Sequence, residues 1–268
     1  MKKLFKILTV LVWVMIISMI AAISIPKSQA QAVYSDGKLQ AAVERALWQV
    51  NMRAGTTARY VGATTGTLCV EGSITAQVAT FDAWKEVMTG VFTPGAFAHI
   101  CGGYSQDGFY ILYNPLVELF NGVDYALVTH EVMHAMGHWT HTPGGLMDVE
   151  HVRSEFISQD ELRIVIDTGW WPRAYAPDYC SAMLGLNNAI YIPEVGGKSI
   201  ELTMASVNEW RVSAVRQIVN PVPCDTVRFN EDGSVSLARV ISPGAQYAPT
   251  FAPAGNGVWK LVSLRKML

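Results

Sequence analysis

The sequence predicts an α+β domain followed by a small β-rich domain. Short β-like runs broken by Gly, Thr and Asn precede an apolar helical run that ends among histidines, and beyond about residue 172 the composition shifts to short strands separated by Pro and Gly. With 268 residues, half of them hydrophobic, the chain is long enough for two domains that each bury a core. We place them at residues 33–172 and 173–268. The formal net charge of −2, with no block of like charges, gives no reason to expect a nucleic-acid partner.

The first residues read as an export signal. Lys2, Lys3 and Lys6 precede an apolar stretch over residues 7–25, and small residues follow at Ser28, Ala30 and Ala32. This is the layout of a signal peptide over residues 1–32. Cleavage after Ala30 or Ala32 satisfies the small-x-small rule, yet the stretch is also long enough to stay uncleaved as a membrane anchor. Either outcome exports the rest, so a secreted, periplasmic or cell-surface location is expected. The next domain begins almost at once, and latency through a cleaved prodomain is not expected.

Cys69, Cys101, Cys180 and Cys224 make an even count that an oxidising compartment would turn into two disulfides. Three pairings exist. Position favours Cys69 with Cys101 and Cys180 with Cys224, one bridge per domain. None has C-x-x-C spacing, so they read as structural staples.

Asp36 can cap a helix whose apolar positions Leu39, Ala42, Val43, Ala46, Leu47 and Val50 recur at helical spacing, ending near Gly55. β-like runs follow at 58–63, 74–81, 96–101 and 109–113, with a short helix over 83–88. Asn114-Pro115 ends the last of these strands. From Asp124 the pattern is helical through Met136, stopped by Gly137. Gly144-Gly145 marks a tight turn, and Ser158-x-x-Glu161 opens another helix with a capping box, closed by Trp170, Trp171 and Pro172. In the last part, 190–195, Gly196-Gly197 and 210–216 are echoed by 235–240, Pro243-Gly244 and 259–265. A small β-sandwich or barrel would satisfy that duplication.

Five of the six histidines, His130, His134, His138, His141 and His151, crowd one short window, with His99 outside it. Residues four apart lie on one helix face, so His130 and His134 can present ring nitrogens to one ion, and zinc accepts that arrangement. Glu131 lies beside the pair, where its carboxylate can act as general base and then acid. A catalytic zinc site needs three protein ligands and one open position. Gly137 can take positive φ and turn the chain back, which makes His138 and His141 the candidates for the third ligand.

The run His130-Glu131-x-x-His134-x-x-Gly137, followed by histidine and then by Met147, resembles the metzincin zinc metallopeptidases, matrixin-like or astacin-like. The family pattern puts its third histidine three residues after the glycine, where this sequence has Thr140. One inserted residue would make His141 the ligand, and His138 would require a tighter path. Gly145-Leu146-Met147 is similar to the family's Met-turn, and the helix opened by Ser158 to its closing helix. The resemblance covers about residues 33–171. It implies a zincin-like domain with a mixed sheet, an edge strand at 96–101 on which an extended peptide lies, and zinc held by His130, His134 and His141. It also implies a secreted zinc-dependent endopeptidase acting on a protein or peptide substrate, with Glu131 as general base.

Other readings stand beside this one. A glutamate third ligand from Glu150, Glu155 or Glu161 is opposed by the early glycine and Met147. His138 can serve the helix C-terminus, and His99 and His151 read as ordinary residues. Trp170, Trp171, Trp210 and Trp259 read as core more readily than as ligand-stacking residues. The runner-up function is an inactive, zinc-stabilised secreted binding or adhesion protein, and a zinc hydrolase of a non-peptide bond would use the same residues. The sequence does not specify an oligomeric state.

Overall fold

The computed structural model describes residues 32–64, 66, 68–87, 95–101, 108–148, 154–169 and 171–267. The export-signal reading therefore falls outside the described residues, apart from Ala32, as do those for Glu150, His151 and Trp170. The described fold is mixed α/β, with two sheets and five helices, consistent with an α+β class. No described helix is long and apolar enough to cross a membrane.

The first sheet contains β1 (Ala32–Ser35), β2 (Arg59–Ala63), β3 (Ser73–Val78), β4 (Ala96–Ile100) and β5 (Phe109–Tyr113), in the order β2-β1-β3-β5-β4. Neighbours run parallel except β4, which pairs antiparallel with β5 and is the edge strand of the sheet among the described residues. The segment 96–101 thus lies at the edge, where the sequence placed it.

Helix α1 (Gln40–Ala54) buries Ala42, Val43, Ala46, Leu47 and Val50, the stripe read from helical spacing. Asp36 braces the turn before it, accepting the amides of Lys38 and Leu39 through Oδ1 and that of Val78 on β3 through Oδ2. Gly55 ends the helix at φ 71°, and a Cβ there would sit 2.2 Å from the Tyr175 carbonyl oxygen, so no larger residue fits.

Three boundaries differ from the sequence reading. The strand expected at 74–81 stops at Val78, and Phe81 opens helix α2 (Phe81–Val87), because the Thr80 hydroxyl accepts the Ala83 amide. Asn114-Pro115 ends β5 and also starts helix α3 (Pro115–Asn121), with Asn114 capping the Leu116 amide and Pro at the first helical position. Residues 235–240 form two strands, broken where the Ala238 amide bonds the Thr226 carbonyl at 2.8 Å and Arg239 turns to Asp178 and Ser181.

Helix α4 (Tyr125–Ala135) lies under the sheet and packs on α1. Asp124 caps it, and Tyr113 ties its start to β5 by accepting the Asp124 amide at 2.8 Å. Helix α5 (Gln159–Thr168) begins with the full Ser158–Glu161 capping box. One apolar core joins these helices to the first sheet, and it includes Trp171.

The second sheet holds β6 (Ala182–Leu184), β7 (Ile190–Val195), β8 (Lys198–Ser206), β9 (Glu209–Gln217), β10 (Val227–Phe229), β11 (Val235–Leu237), β12 (Val240–Ser242), β13 (Ala245–Gly255) and β14 (Val258–Met267). Strands β12, β6, β7, β8, β9, β14 and β13 pair in sequence, and β13 pairs back onto β12, so they close a barrel with β11 paired to β13 and β10 to β11. The tryptophans of the two echoed segments, Trp210 and Trp259, meet as register partners between β9 and β14. Trp210 is buried in the barrel core, edge-on to Phe251 with ring centroids 5.3 Å apart.

Both disulfide pairings favoured by position are formed, Cys69–Cys101 and Cys180–Cys224. They fit an oxidising, extracellular environment. The barrel meets the segment before α5 in an apolar contact where Phe156 stacks on Tyr191 of β7 at 5.3 Å, together with Met183, Ile241 and Trp48 of α1. Buried Gln159 adds polar ties, donating to the Tyr179 and Val222 carbonyls and accepting the Val222 amide.

Candidate metal centre

His130 and His134 occupy one face of α4 because they are four residues apart on a helix that is buried from Val128 to Ala135. Each imidazole is oriented by its Nδ1. His130 Nδ1 meets the Leu146 carbonyl at 2.7 Å, and His134 Nδ1 meets the His138 carbonyl at 2.7 Å. A carbonyl only accepts, so both Nδ1 atoms carry the proton and both Nε2 atoms are left with bare lone pairs.

Those two Nε2 atoms lie 3.1 Å apart. Burial pushes the pKa of His130 down, and burial together with His130 pushes that of His134 down to about 3, so neither ring carries a positive charge at neutral pH. Two neutral rings with facing lone pairs repel unless a cation stands between them. Two ligand bonds of about 2.0–2.1 Å to a tetrahedral ion would put the nitrogens about 3.4 Å apart. The pair is close to that arrangement.

The third member of the group is His141. Its ring lies 5.3 Å from that of His130 and 4.9 Å from that of His134 between centroids, and one nitrogen from each of the three lies within 4.8 Å of the others. Gly137 makes this possible by turning the chain at φ 101° just past the helix. Thr140, at the position where the metzincin pattern has its histidine, is exposed, and the next residue reaches the group.

His138 is fully buried outside this group, and its part in the centre is played by its backbone carbonyl on His134. His99 is exposed on β4 and stacks on Tyr110. Glu155 stands apart from the three histidines, and burial raises its pKa. Glu161 is also outside the group. Its Oε1 accepts the Met147 amide at 2.9 Å and the Thr142 hydroxyl at 3.2 Å, and its Oε2 accepts the Ser158 amide at 2.8 Å.

Glu131 follows His130 on the helix and is almost wholly buried. It accepts a backbone hydrogen bond from Ala98 on the edge strand β4, and its Oε2 has no hydrogen-bond partner among the described residues. Burial pushes its pKa up to about 8. A divalent cation nearby would favour the charged form and bring that value down.

Met147, buried in the same core as α4, sits in a loop closed by a 2.8 Å bond from the Thr142 amide to its carbonyl. Two features of the site were not read from the sequence. Trp139 stacks on the His134 ring at 6.0 Å, 40 % exposed. Glu161 clamps the Met147 loop, which the capping box signalled only in part because the N-cap amide occupies just one carboxylate oxygen.

No protein-family model matches this chain, no curated protein matches it, and no solved structure matches it. The group His130, His134 and His141 could hold a metal ion on its own geometry.

Proposed function

We propose that this protein is a secreted zinc-dependent endopeptidase with a zincin-like domain. The observation that carries the reading is the three-histidine group, in which two bare Nε2 atoms face each other at 3.1 Å beside a buried, half-satisfied Glu131. Three imidazoles suit zinc and leave a fourth position open, which is the donor set of a hydrolytic rather than a structural site. When bound, zinc activates water near neutral pH and polarises a carbonyl.

The chain's own residues supply the rest. His130 and His134 are held in the ligating tautomer by the Leu146 and His138 carbonyls, so no reorganisation is needed when the ion arrives. Glu131 takes a proton from the attacking water through Oε2 and delivers it to the leaving amine. Its other contact, to Ala98, ties the carboxylate to β4, which has a strand on one side only among the described residues and can accept an extended peptide as an added strand. A polypeptide substrate suits that edge better than a small ester or amide.

The test is hydrolysis of unfolded casein by the full-length protein. Activity abolished by a chelator and restored by stoichiometric zinc is expected. Zinc bound without hydrolysis would replace this reading with that of a zinc-stabilised binding protein.

A further inference from the structure

Of the three histidines, two are placed by a helix and the third by a loop. His141 is exposed, and the turns after it have little apolar packing until Gly145, Leu146 and Met147. The same loop presents the Leu146 carbonyl that orients His130. Its geometry therefore decides both where the third ligand stands and how the first is aimed.

Glu161 of α5 holds the loop from the inside. The barrel holds it from the outside. Arg216 of β9 donates from Nε to the Gly144 carbonyl and from Nη1 to Glu201 of β8. Glu201 also accepts the Ser154 hydroxyl at 2.6 Å, just beyond the loop. Arg216 is the register partner of Ser199, which makes Glu201 its diagonal neighbour across the two strands. Gly144 itself donates to Asp148 at 2.5 Å, so the peptides on both sides of this residue are held.

We propose that the β-barrel is a working part of the metal centre, with Arg216 a positioning residue that fixes the loop carrying His141 and Leu146. This rests on the reading of the three histidines as a zinc site. A guanidinium suits the task because its planar fork bonds a carbonyl and a carboxylate at once and stays charged at every working pH. Groups that bond a ligand directly, as the Leu146 carbonyl does, are worth about 10–100-fold in metal affinity, and Arg216 acts on that carbonyl through the loop. The barrel is then more than an appendage.

The experiment compares full-length wild type with Arg216→Ala, Arg216→Lys and, as a control, Arg211→Ala, an exposed residue of the same strand. Zinc affinity is read by competition with a chromophoric chelator, and amide exchange of residues 141–148 is read on zinc-free protein. Arg216→Ala is expected to weaken zinc binding about 10-fold, the low end for groups bonded directly to a ligand, and to speed loop exchange while the barrel strands keep their protection. Arg216→Lys, which keeps the charge but lacks the fork, is expected to fall between, and Arg211→Ala to match wild type. Should Arg216→Ala not fold, Arg216→Lys with wild-type affinity and exchange overturns the proposal. Wild-type values in Arg216→Ala do the same. A wild type that binds zinc tightly but leaves casein intact overturns the peptidase reading alone.

Discussion

The Oε1 atom of Glu161 accepts the Met147 amide at 2.9 Å, joining the first turn of α5 to the loop that passes the three-histidine group. At the other end of that same peptide the Leu146 carbonyl receives His130 through Nδ1. A capping carboxylate, a tight loop and a candidate ligand thus form one hydrogen-bonded chain.

Replacing Glu161 with Ala removes the capping-box acceptor and leaves a buried amide unpaired. A loss of about 3 kcal/mol in unfolding free energy is expected, read as a lower urea midpoint with an unchanged slope. Glu161→Gln, which keeps an acceptor oxygen, is expected to lose less.

Much of this arrangement was legible in the sequence. The spacing of His130 and His134, the helix start at Asp124, the stop at Gly137 and the Ser158–Glu161 box are local signals, and each lies where the pattern put it. His141 was read ahead of His138 through the family resemblance and not from local pattern, because the choice depends on how the chain turns after Gly137. The long-range contacts were not legible. Nothing local in Arg216 or Glu201 marks them as partners of a loop some 50 to 70 residues away in the chain. Barrel closure was likewise open, since it depends on β13 pairing with strands on both sides, and period-2 alternation specifies a face but not a partner.

The choice between His138 and His141 has a direct consequence for metal content. His141→Ala is expected to lose most of its zinc by elemental analysis. His138→Ala is expected to retain it, because the carbonyl that orients His134 belongs to the backbone and survives the substitution. The reverse pattern would make His138 the ligand.

The Cys180–Cys224 bridge joins the bend leading into β6 to the long connection before β10, and closes a separation of 44 residues. Replacing both cysteines with Ser is expected to cost about 2–4 kcal/mol, measured by denaturant unfolding under oxidising conditions. Trp210→Ala, which empties the barrel core beside Phe251, is expected to cost about 3–5 kcal/mol in the same assay.

The central claim is that Glu131 does chemistry at a zinc held by its neighbours. Its most direct test is zinc content and casein hydrolysis measured together on wild type and Glu131→Gln. About one zinc per chain in both proteins is expected from the three-histidine donor set, with hydrolysis only in the wild type. Hydrolysis retained by Glu131→Gln, or no zinc in the wild type, would contradict it.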